Sequence, residues 1–177
     1  MSKPYFNSQE LDFLKSLPIP ETGYLLQTNC GAGEALAQFH ELRPRLDLQG
    51  VEPSDSLREA FGRHSGHSFS ACVWKEESQE EAESYDVIYL SGMKVGDVRE
   101  PASFKELLDR YRPLLVEGGF LLIEISFAND HGVTSLDRVP WLEKNLQQID
   151  PGEMAMAWHP VPSKERGILS LWKGGSR

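Results

Sequence analysis

With 177 residues, 40% of them hydrophobic, the chain is expected to form one domain, residues 1–177, whose core is large enough to need no metal or disulfide. Its two cysteines, Cys30 and Cys72, do not have the spacing of metal ligands. A formal net charge of -9 disfavours binding to nucleic acid, which depends on lysine and arginine replacing counterions. Residues 1–21 show no secretory leader pattern, and no segment approaches the roughly 20 apolar residues of a membrane span, so we expect a cytoplasmic protein.

Hydrophobic periodicity predicts an alternation of helices and strands along the chain. In chain order the predicted elements are a helix at 8–17, a strand at 24–28, a helix at 35–42, a strand at 46–51, a helix at 57–61, strands at 68–74 and 85–92, a helix at 104–115, a strand at 120–126, a helix at 136–149, and strands at 154–161 and 167–173. The first 21 residues are interpreted as a helical lid or a packing segment.

Residues at the ends of these segments predict where some helices begin and stop. Asn7 or Ser8 has a side chain suited to capping the first helix. Leu57 is expected to face the core from the third helix. The pair Gly118 and Gly119 is expected to end the helix at 104–115 and to lead into the next strand.

The repeated strand–helix order predicts a doubly wound, mostly parallel sheet of about seven strands, with helices on both faces. The last two segments are expected to form an antiparallel pair, joined by the turn-rich PSKERG. In such sheets ligands bind beyond the carboxyl ends of the strands, where the strand order reverses. This rule places the loops after Thr28, Val51, Trp74 and Leu90 around one crevice.

A cluster of small residues follows the first strand and precedes a helix. Gly31 and Gly33 allow the backbone to approach a ligand closely, and the helix beginning near Glu34 directs its amide groups into the same space. Glu52 ends the next strand, about 20 residues on, where dinucleotide-binding units place an acid that accepts hydrogen bonds from ribose. Together these residues predict a site for an adenosine-type ligand, although a tight turn alone would also explain the two glycines.

Several segments in order resemble the class I S-adenosylmethionine-dependent methyltransferases. LLQTNCGAG resembles the first motif of that family, GVEPSDSLREAF its ribose-binding strand and helix, and YDVIYLSG its fourth strand. FKELLDRYRPLLVEGGFLLIEIS resembles the helix, paired glycines and fifth strand that follow. The resemblance extends from about Gly23 to the C-terminus. It implies a Rossmann-like fold with the last strand antiparallel beside the sixth, and S-adenosyl-L-methionine as cofactor.

The resemblance also implies a cofactor site built from ten residues. They are Gln27, Asn29, Cys30, Gly31, Gly33, Glu52, Pro53, Ser54, Trp74 and Ser91. Gln27 stands where the family usually has an acid, and Asn29 where it has the first glycine; asparagine tolerates left-handed backbone geometry. Trp74 stands near a position where an acid often meets the adenine, and it either stacks on the base or belongs to the core. Cys30 is expected to be a small buried residue, not a nucleophile.

The sequence carries a weaker signal for catalysis. Methyl transfer is an in-line displacement that depends mainly on alignment, so a base is optional. His131, beside Asp130 after the fifth strand, is the leading candidate for a base, and His159 is a weaker one. A small-molecule acceptor is expected because the segments that would enclose it are short; alternatively, the second subunit of a homodimer completes the pocket.

Two other functions fit parts of the sequence. Gln27 and Asn29 are also consistent with a catalytically inactive binding or partner subunit of the same fold. A nicotinamide-dependent oxidoreductase would share the glycine loop and the acid, but the final helix and strand pair suit the methyltransferase topology better.

Overall fold

The computed structural model describes residues 4–64, 71–74, 84–127, 140–149, 154–161 and 165–174. The helices are α1 (Ser8–Ser16), α2 (Glu34–Leu42), α3 (Asp55–His64), α4 (Val95–Arg99), α5 (Pro101–Tyr111) and α6 (Pro140–Ile149). The strands are β1 (Thr22–Thr28), β2 (Arg45–Val51), β3 (Ala71–Trp74), β4 (Tyr85–Lys94), β5 (Leu115–Ser126), β6 (Met154–Val161) and β7 (Arg166–Lys173). Within these ranges no helix is both long enough and apolar enough to cross a lipid bilayer.

The seven strands form one sheet in the order β3-β2-β1-β4-β5-β7-β6. Strands β1 to β5 pair in parallel, whereas β7 is antiparallel to both β5 and β6. The chain therefore winds outward in both directions from β1 and β4, so the strand order reverses between these two strands. The predicted doubly wound, mostly parallel sheet with its last strand antiparallel is confirmed.

Strand register brings the predicted loops to one edge of the sheet. Thr28 pairs with Val51 on one side and with Leu90 on the other, and Val51 pairs in turn with Trp74. The carboxyl ends of β1, β2 and β3 are therefore level, and the middle of the longer β4 lies beside them.

Helices cover both faces of the sheet, and each face has its own apolar core. Helices α1, α2 and α3 contribute Leu14, Leu36 and Phe61 to one core. Helices α4, α5 and α6 pack on the opposite face, where residues such as Phe104 and Leu142 are buried. The strands between the two layers are apolar on both sides, as expected for a parallel sheet enclosed by helices.

The segment before β1 is packed against the protein. Phe6 is fully buried, with its ring 5.4 Å from that of Phe39 and 5.7 Å from that of Tyr89, both in edge-to-face geometry. Asn7 caps α1 by accepting a hydrogen bond from the backbone N–H of Glu10, and the Glu10 carboxylate accepts one from the N–H of Asn7. The predicted cap at Asn7 is confirmed.

Two local predictions are wrong. The glycine pair does not end the helix: α5 stops at Tyr111, before a 3₁₀ turn that contains Pro113, and both glycines lie within β5. A Cβ at Gly119 would lie 2.9 Å from the carbonyl oxygen of Val116 in the same strand and 3.2 Å from that of Asp86 in β4, so the surrounding backbone explains this glycine. Leu57 is 40% exposed, because it lies in the first turn of α3, beyond the end of β2.

Candidate functional site

The loop between β1 and α2 makes a sharp turn through three residues with left-handed backbone geometry. Asn29, Gly31 and Gly33 have φ values of 49°, 59° and 91°. The N–H of Cys30 donates to the carbonyl of Val51 at 3.0 Å, and the N–H of Gly33 donates to the carbonyl of Cys30 at 3.0 Å. The turn expected from the family motif is therefore present although Asn29 replaces a glycine, since asparagine adopts this conformation at modest cost.

Gly31 and Gly33 differ in what lies beside them. Among the described residues, a Cβ at Gly31 would meet only the Oε2 atom of Glu34, at 3.8 Å, so none of them fills the space beside Gly31. A Cβ at Gly33 would overlap the ring of Phe61, which packs against this glycine from α3. Packing within the protein therefore explains Gly33, whereas Gly31 leaves room for a ligand.

Glu52, the predicted ribose acid, is held by backbone donors. Its side chain is nearly buried, at 6% exposure, just after β2. Its Oε2 atom accepts from the N–H of Gly31 at 2.8 Å, and its Oε1 atom accepts from the N–H of Ser54 at 2.9 Å. Each carboxylate oxygen has a second lone pair, so two further donors, such as neighbouring hydroxyls of a ribose, can be accepted without breaking these bonds.

Gln27, Asn29 and Ser91 connect the glycine loop to β4, and we call these three residues the clasp. The Nε2 atom of Gln27 donates to Oγ of Ser91 at 3.1 Å, and Oγ of Ser91 lies 2.5 Å from the carbonyl oxygen of Thr28. The Nδ2 atom of Asn29 donates to the carbonyl of Ser91 at 3.3 Å. Gln27 is only 1% exposed, and its Oε1 atom has no hydrogen-bond partner among the described residues.

The other predicted contacts are arranged around the end of β2. Pro53 is exposed, and Ser54 directly precedes α3 with its hydroxyl 3.5 Å from the N–H of Leu57. Trp74 ends β3 with its backbone beside Val51, but its side chain lies outside the described part of the structure. Arg58 donates to the carbonyl of Glu52 and pairs with Asp55, which fixes the start of α3.

Cys30 is buried within the glycine loop, as expected. Its sulfur packs against Gly50, where a Cβ would lie 2.7 Å from Sγ. Burial, and to a smaller extent the charge of Glu52, raises the pKa of the thiol to about 12. The thiol is therefore protonated at neutral pH and is not a nucleophile.

This state of Cys30 gives a direct labelling prediction. In a Cys72→Ser variant at pH 8, iodoacetamide is expected to alkylate Cys30 at least about a hundredfold more slowly in the folded protein than in urea, since only the exposed thiolate reacts. Mass spectrometry of timed samples measures the two rates. Comparable rates in both conditions would show that the loop opens readily and that Cys30 is accessible.

The described residues do not place a base at this site. His131 and Asp130 lie outside the described residues. His159 lies in β6 at the edge of the sheet, where its ring stacks on Phe13 of α1 at 4.6 Å and burial lowers its pKa. The prediction that His159 acts as a base in the crevice is wrong, because β4, β5 and β7 separate its strand from β1.

Sequence reasoning missed the contacts that hold the loop. The pairing of Gln27 with Ser91 joins residues 64 positions apart, and the packing of Phe61 on Gly33 joins two different loop–helix units. For the contact between Phe61 and Gly33, the sequence offered one signal, an apolar residue at an inward position of α3. Among the described residues no group of three or more His, Cys, Asp or Glu side chains is suited to hold a metal ion.

Comparison with solved structures shows which proteins share this architecture. The plantazolicin methyltransferase BpumL in complex with SAH matches with a TM-score of 0.62 and 15% sequence identity, over 86% of this chain and 76% of that protein. A chain of the fibrillarin/NOP5P complex matches with a TM-score of 0.65 and 10% identity, over 98% of this chain and 88% of that one. An O-methyltransferase family protein from Burkholderia thailandensis matches with a TM-score of 0.63 and 15% identity, over 94% of this chain and 56% of that one.

Comparisons of the sequence alone gave no match: no protein-family model and no curated protein matches the chain. Each of these three structural matches nevertheless covers at least 86% of this chain. The chain has the fold of the class I S-adenosylmethionine-dependent methyltransferases.

Proposed function

We propose that this protein binds S-adenosyl-L-methionine at the carboxyl edge of its sheet and transfers the methyl group to a small-molecule acceptor. The observation that carries the proposal is the Glu52 carboxylate, fixed by two backbone N–H groups beside Gly31, where no described side chain fills the space. The structural match to BpumL, whose structure contains SAH, supports the same ligand class.

The residues present fit an adenosyl ligand. Glu52 would accept hydrogen bonds from the two ribose hydroxyls, and Gly31 would allow the nucleoside to lie against the loop backbone. Gln27 offers an acceptor, because its Oε1 atom is buried and has no partner among the described residues. When bound, the cofactor would supply a methyl group on a positively charged sulfur, and an acceptor atom that attacks this methyl group would release the neutral thioether.

The chain's own contribution to such a transfer is to align the reactants. The loop between β1 and α2 is fixed on one side by Glu52 and on the other by the clasp, so a ligand resting on it would have a defined position. Rigid positioning of this kind supplies much of the rate acceleration of a displacement reaction. We propose His131 as the base if the acceptor must lose a proton. We also propose that the acceptor is small or, alternatively, that the second subunit of a homodimer completes the pocket.

A second candidate is a cytoplasmic, catalytically inactive binding or partner subunit of the same fold, which has lost part of the cofactor site. Gln27 and Asn29, which stand in place of an acid and a glycine, favour this alternative. Isothermal titration with S-adenosyl-L-methionine and S-adenosyl-L-homocysteine separates the two candidates. Lack of binding at millimolar ligand would contradict the methyltransferase, whereas tight binding to the wild-type protein would contradict the inactive subunit.

Replacing Glu52 with glutamine is expected to affect both the loop and the ligand. The amide has one acceptor oxygen where the carboxylate has two, so either Gly31 or Ser54 loses its partner and the free energy of unfolding falls by about 1–3 kcal/mol. Ligand binding should weaken at least about tenfold, since a charge-assisted hydrogen bond to ribose is lost. Urea unfolding and calorimetric titration measure the two effects.

Glu59→Gln is the matched control for this experiment. Glu59 is an exposed carboxylate on α3, the helix that follows Glu52, and its neutralisation changes the net charge by the same amount. It should leave ligand affinity unchanged. Equal affinity of Glu52→Gln and wild-type protein would contradict the assignment of Glu52 to ribose.

A further inference from the structure

An extra residue interrupts the pairing of β4 with β5 beside the glycine loop. Leu90 and Met93 are three positions apart in β4, but their partners in β5 are two positions apart, so Ser91 and Gly92 form a β-bulge. Bulges re-aim the side chains beside them and are uncommon between parallel strands. Leu90 and Met93 both pack against the core formed with α4, α5 and α6, although residues three apart face opposite sides of a regular strand. The bulge therefore changes the alternation of faces along β4.

Gly92 supplies the backbone conformation of this bulge. Its φ of 72° lies in the left-handed region, where the Cβ of other residues comes too close to the following carbonyl oxygen. Glycine adopts this conformation without that cost. A Cβ at position 92 would meet no atom of the described residues within 4 Å, so the observed reason for glycine is its backbone geometry and not crowding.

Ser91, the residue before Gly92, contacts the glycine loop with both its backbone and its side chain. Its carbonyl accepts from Nδ2 of Asn29 at 3.3 Å, and its Oγ atom lies 2.5 Å from the carbonyl oxygen of Thr28 and 3.0 Å from that of Asn29. The regular pairing of β1 with β4 ends at Thr28 and Leu90. The contacts of Ser91 therefore extend the attachment of the two strands into the loop.

We infer that Gly92 is a positioning residue for the glycine loop, because its left-handed conformation forms the bulge that holds Ser91 against Thr28 and Asn29. A residue that resists this conformation at position 92 displaces Ser91 and releases the loop. The consequence for an adenosyl ligand rests on the proposed function, whereas the effect on the loop itself does not.

The reactivity of Cys30, which lies in the loop, tests the inference without a ligand. In the Cys72→Ser background at pH 8, Gly92→Ala should raise the rate at which iodoacetamide alkylates Cys30 in the folded protein at least about tenfold. The reason is that the loop opens more often when Ser91 no longer holds it. Gly92→Asn should stay within about threefold of the parent rate, since asparagine tolerates left-handed geometry. Mass spectrometry of timed samples measures these rates.

Gly118→Ala is the matched control. Gly118 is exposed like Gly92, has a φ of 76°, and a Cβ there would also meet no atom of the described residues within 4 Å. It lies toward the amino end of β5, at the edge of the sheet opposite to the loop. This variant introduces the same backbone strain, so it should lower the urea midpoint as much as Gly92→Ala does. It should leave the alkylation rate of Cys30 within about threefold of the parent rate.

S-adenosyl-L-homocysteine is the probe for the consequence at the proposed ligand site. In calorimetric titration its affinity should fall at least about fivefold in Gly92→Ala, and it should stay within about twofold of wild type in Gly92→Asn and Gly118→Ala. If thermal melting shows that Gly92→Ala does not fold, Gly92→Ser replaces it, because a serine hydroxyl supports such turns more weakly than asparagine does. The alkylation rate of Cys30 should then rise at least about threefold.

The outcomes separate this inference from the proposed function. Equal alkylation rates in Gly92→Ala and Gly118→Ala, or an equal rise in Gly92→Asn, would overturn the inference. If the alkylation rates differ as expected but the wild-type protein does not bind S-adenosyl-L-homocysteine, the inference stands and the methyltransferase is contradicted. If the ligand binds Gly92→Ala as tightly as wild type, the consequence for the ligand is wrong.

Discussion

Replacing Arg166 with methionine is expected to lower the free energy of unfolding by about 3–5 kcal/mol, because it leaves two buried carboxylates without their cation. Arg166 donates from Nε to Glu10 at 2.8 Å and from Nη1 to Glu124 at 2.9 Å. Tyr89 and Tyr5 also donate to Glu124, at 2.6 Å and 3.0 Å, and burial followed by the charge of Glu124 raises the pKa of both hydroxyls. Urea denaturation measures the loss.

Lys105→Met is the control for Arg166→Met. Lys105 pairs with Asp109 on α5, but its side chain is 57% exposed, whereas that of Arg166 is 12% exposed. Solvent-exposed pairs contribute about 0–1 kcal/mol, so this variant should be nearly as stable as wild type. A loss of less than about 1 kcal/mol in Arg166→Met would show that the cluster is solvated in solution and that α1 is not anchored by it.

Gly33→Ala is the second substitution with a large expected effect. Alanine at this position must adopt a φ near 91° and place its Cβ 2.3 Å from two ring carbons of Phe61. Left-handed geometry and overpacking together should cost about 3 kcal/mol of unfolding free energy. Because Phe61 would have to move away from the loop, binding of S-adenosyl-L-methionine should also weaken. Urea unfolding and titration calorimetry measure the two changes.

Two further variants identify the cause. Gly96→Ala serves as the control, because a Cβ there meets no atom of the described residues within 4 Å and Gly96 lies within the helix α4. It should be neutral or slightly stabilising. Adding Phe61→Leu to Gly33→Ala should recover part of the lost stability, since the smaller side chain reduces the overlap. If Gly33→Ala alone is as stable as wild type, Phe61 does not pack on the loop.

The contacts behind these predictions differ in how far they could be predicted from the sequence. Gly31 and Glu52 were predicted as a pair from a turn and a strand end, and the structure joins them directly by a hydrogen bond of 2.8 Å. The role of Gly33 was open between a ligand and a tight turn, and only its contact with Phe61 explains it. The cluster around Arg166 was not predicted, because Arg166 and Glu10 are 156 positions apart.

The errors also have physical causes. Gly118 and Gly119 are typical of a helix end, but the helix had already ended before Pro113. Gly118 has a φ of 76°, which favours glycine, and Gly119 lies against backbone carbonyls of its own strand and of β4. Leu57 has the spacing of a core residue, yet the helix extends beyond the sheet at that point. In both cases the local sequence pattern is typical of the predicted feature, but the position of the residues in the fold gives them a different role.

By itself the sequence determined the order of helices and strands apart from the short α4, the parallel sheet and the place of the glycine loop, because hydrophobic periodicity and turn chemistry act within short windows of the chain. The tertiary structure alone decided the orientation of the Gln27 amide, the packing of Phe61 and the charge partners of Arg166. Each of these depends on hydrogen bonding or close packing between residues that only folding brings together.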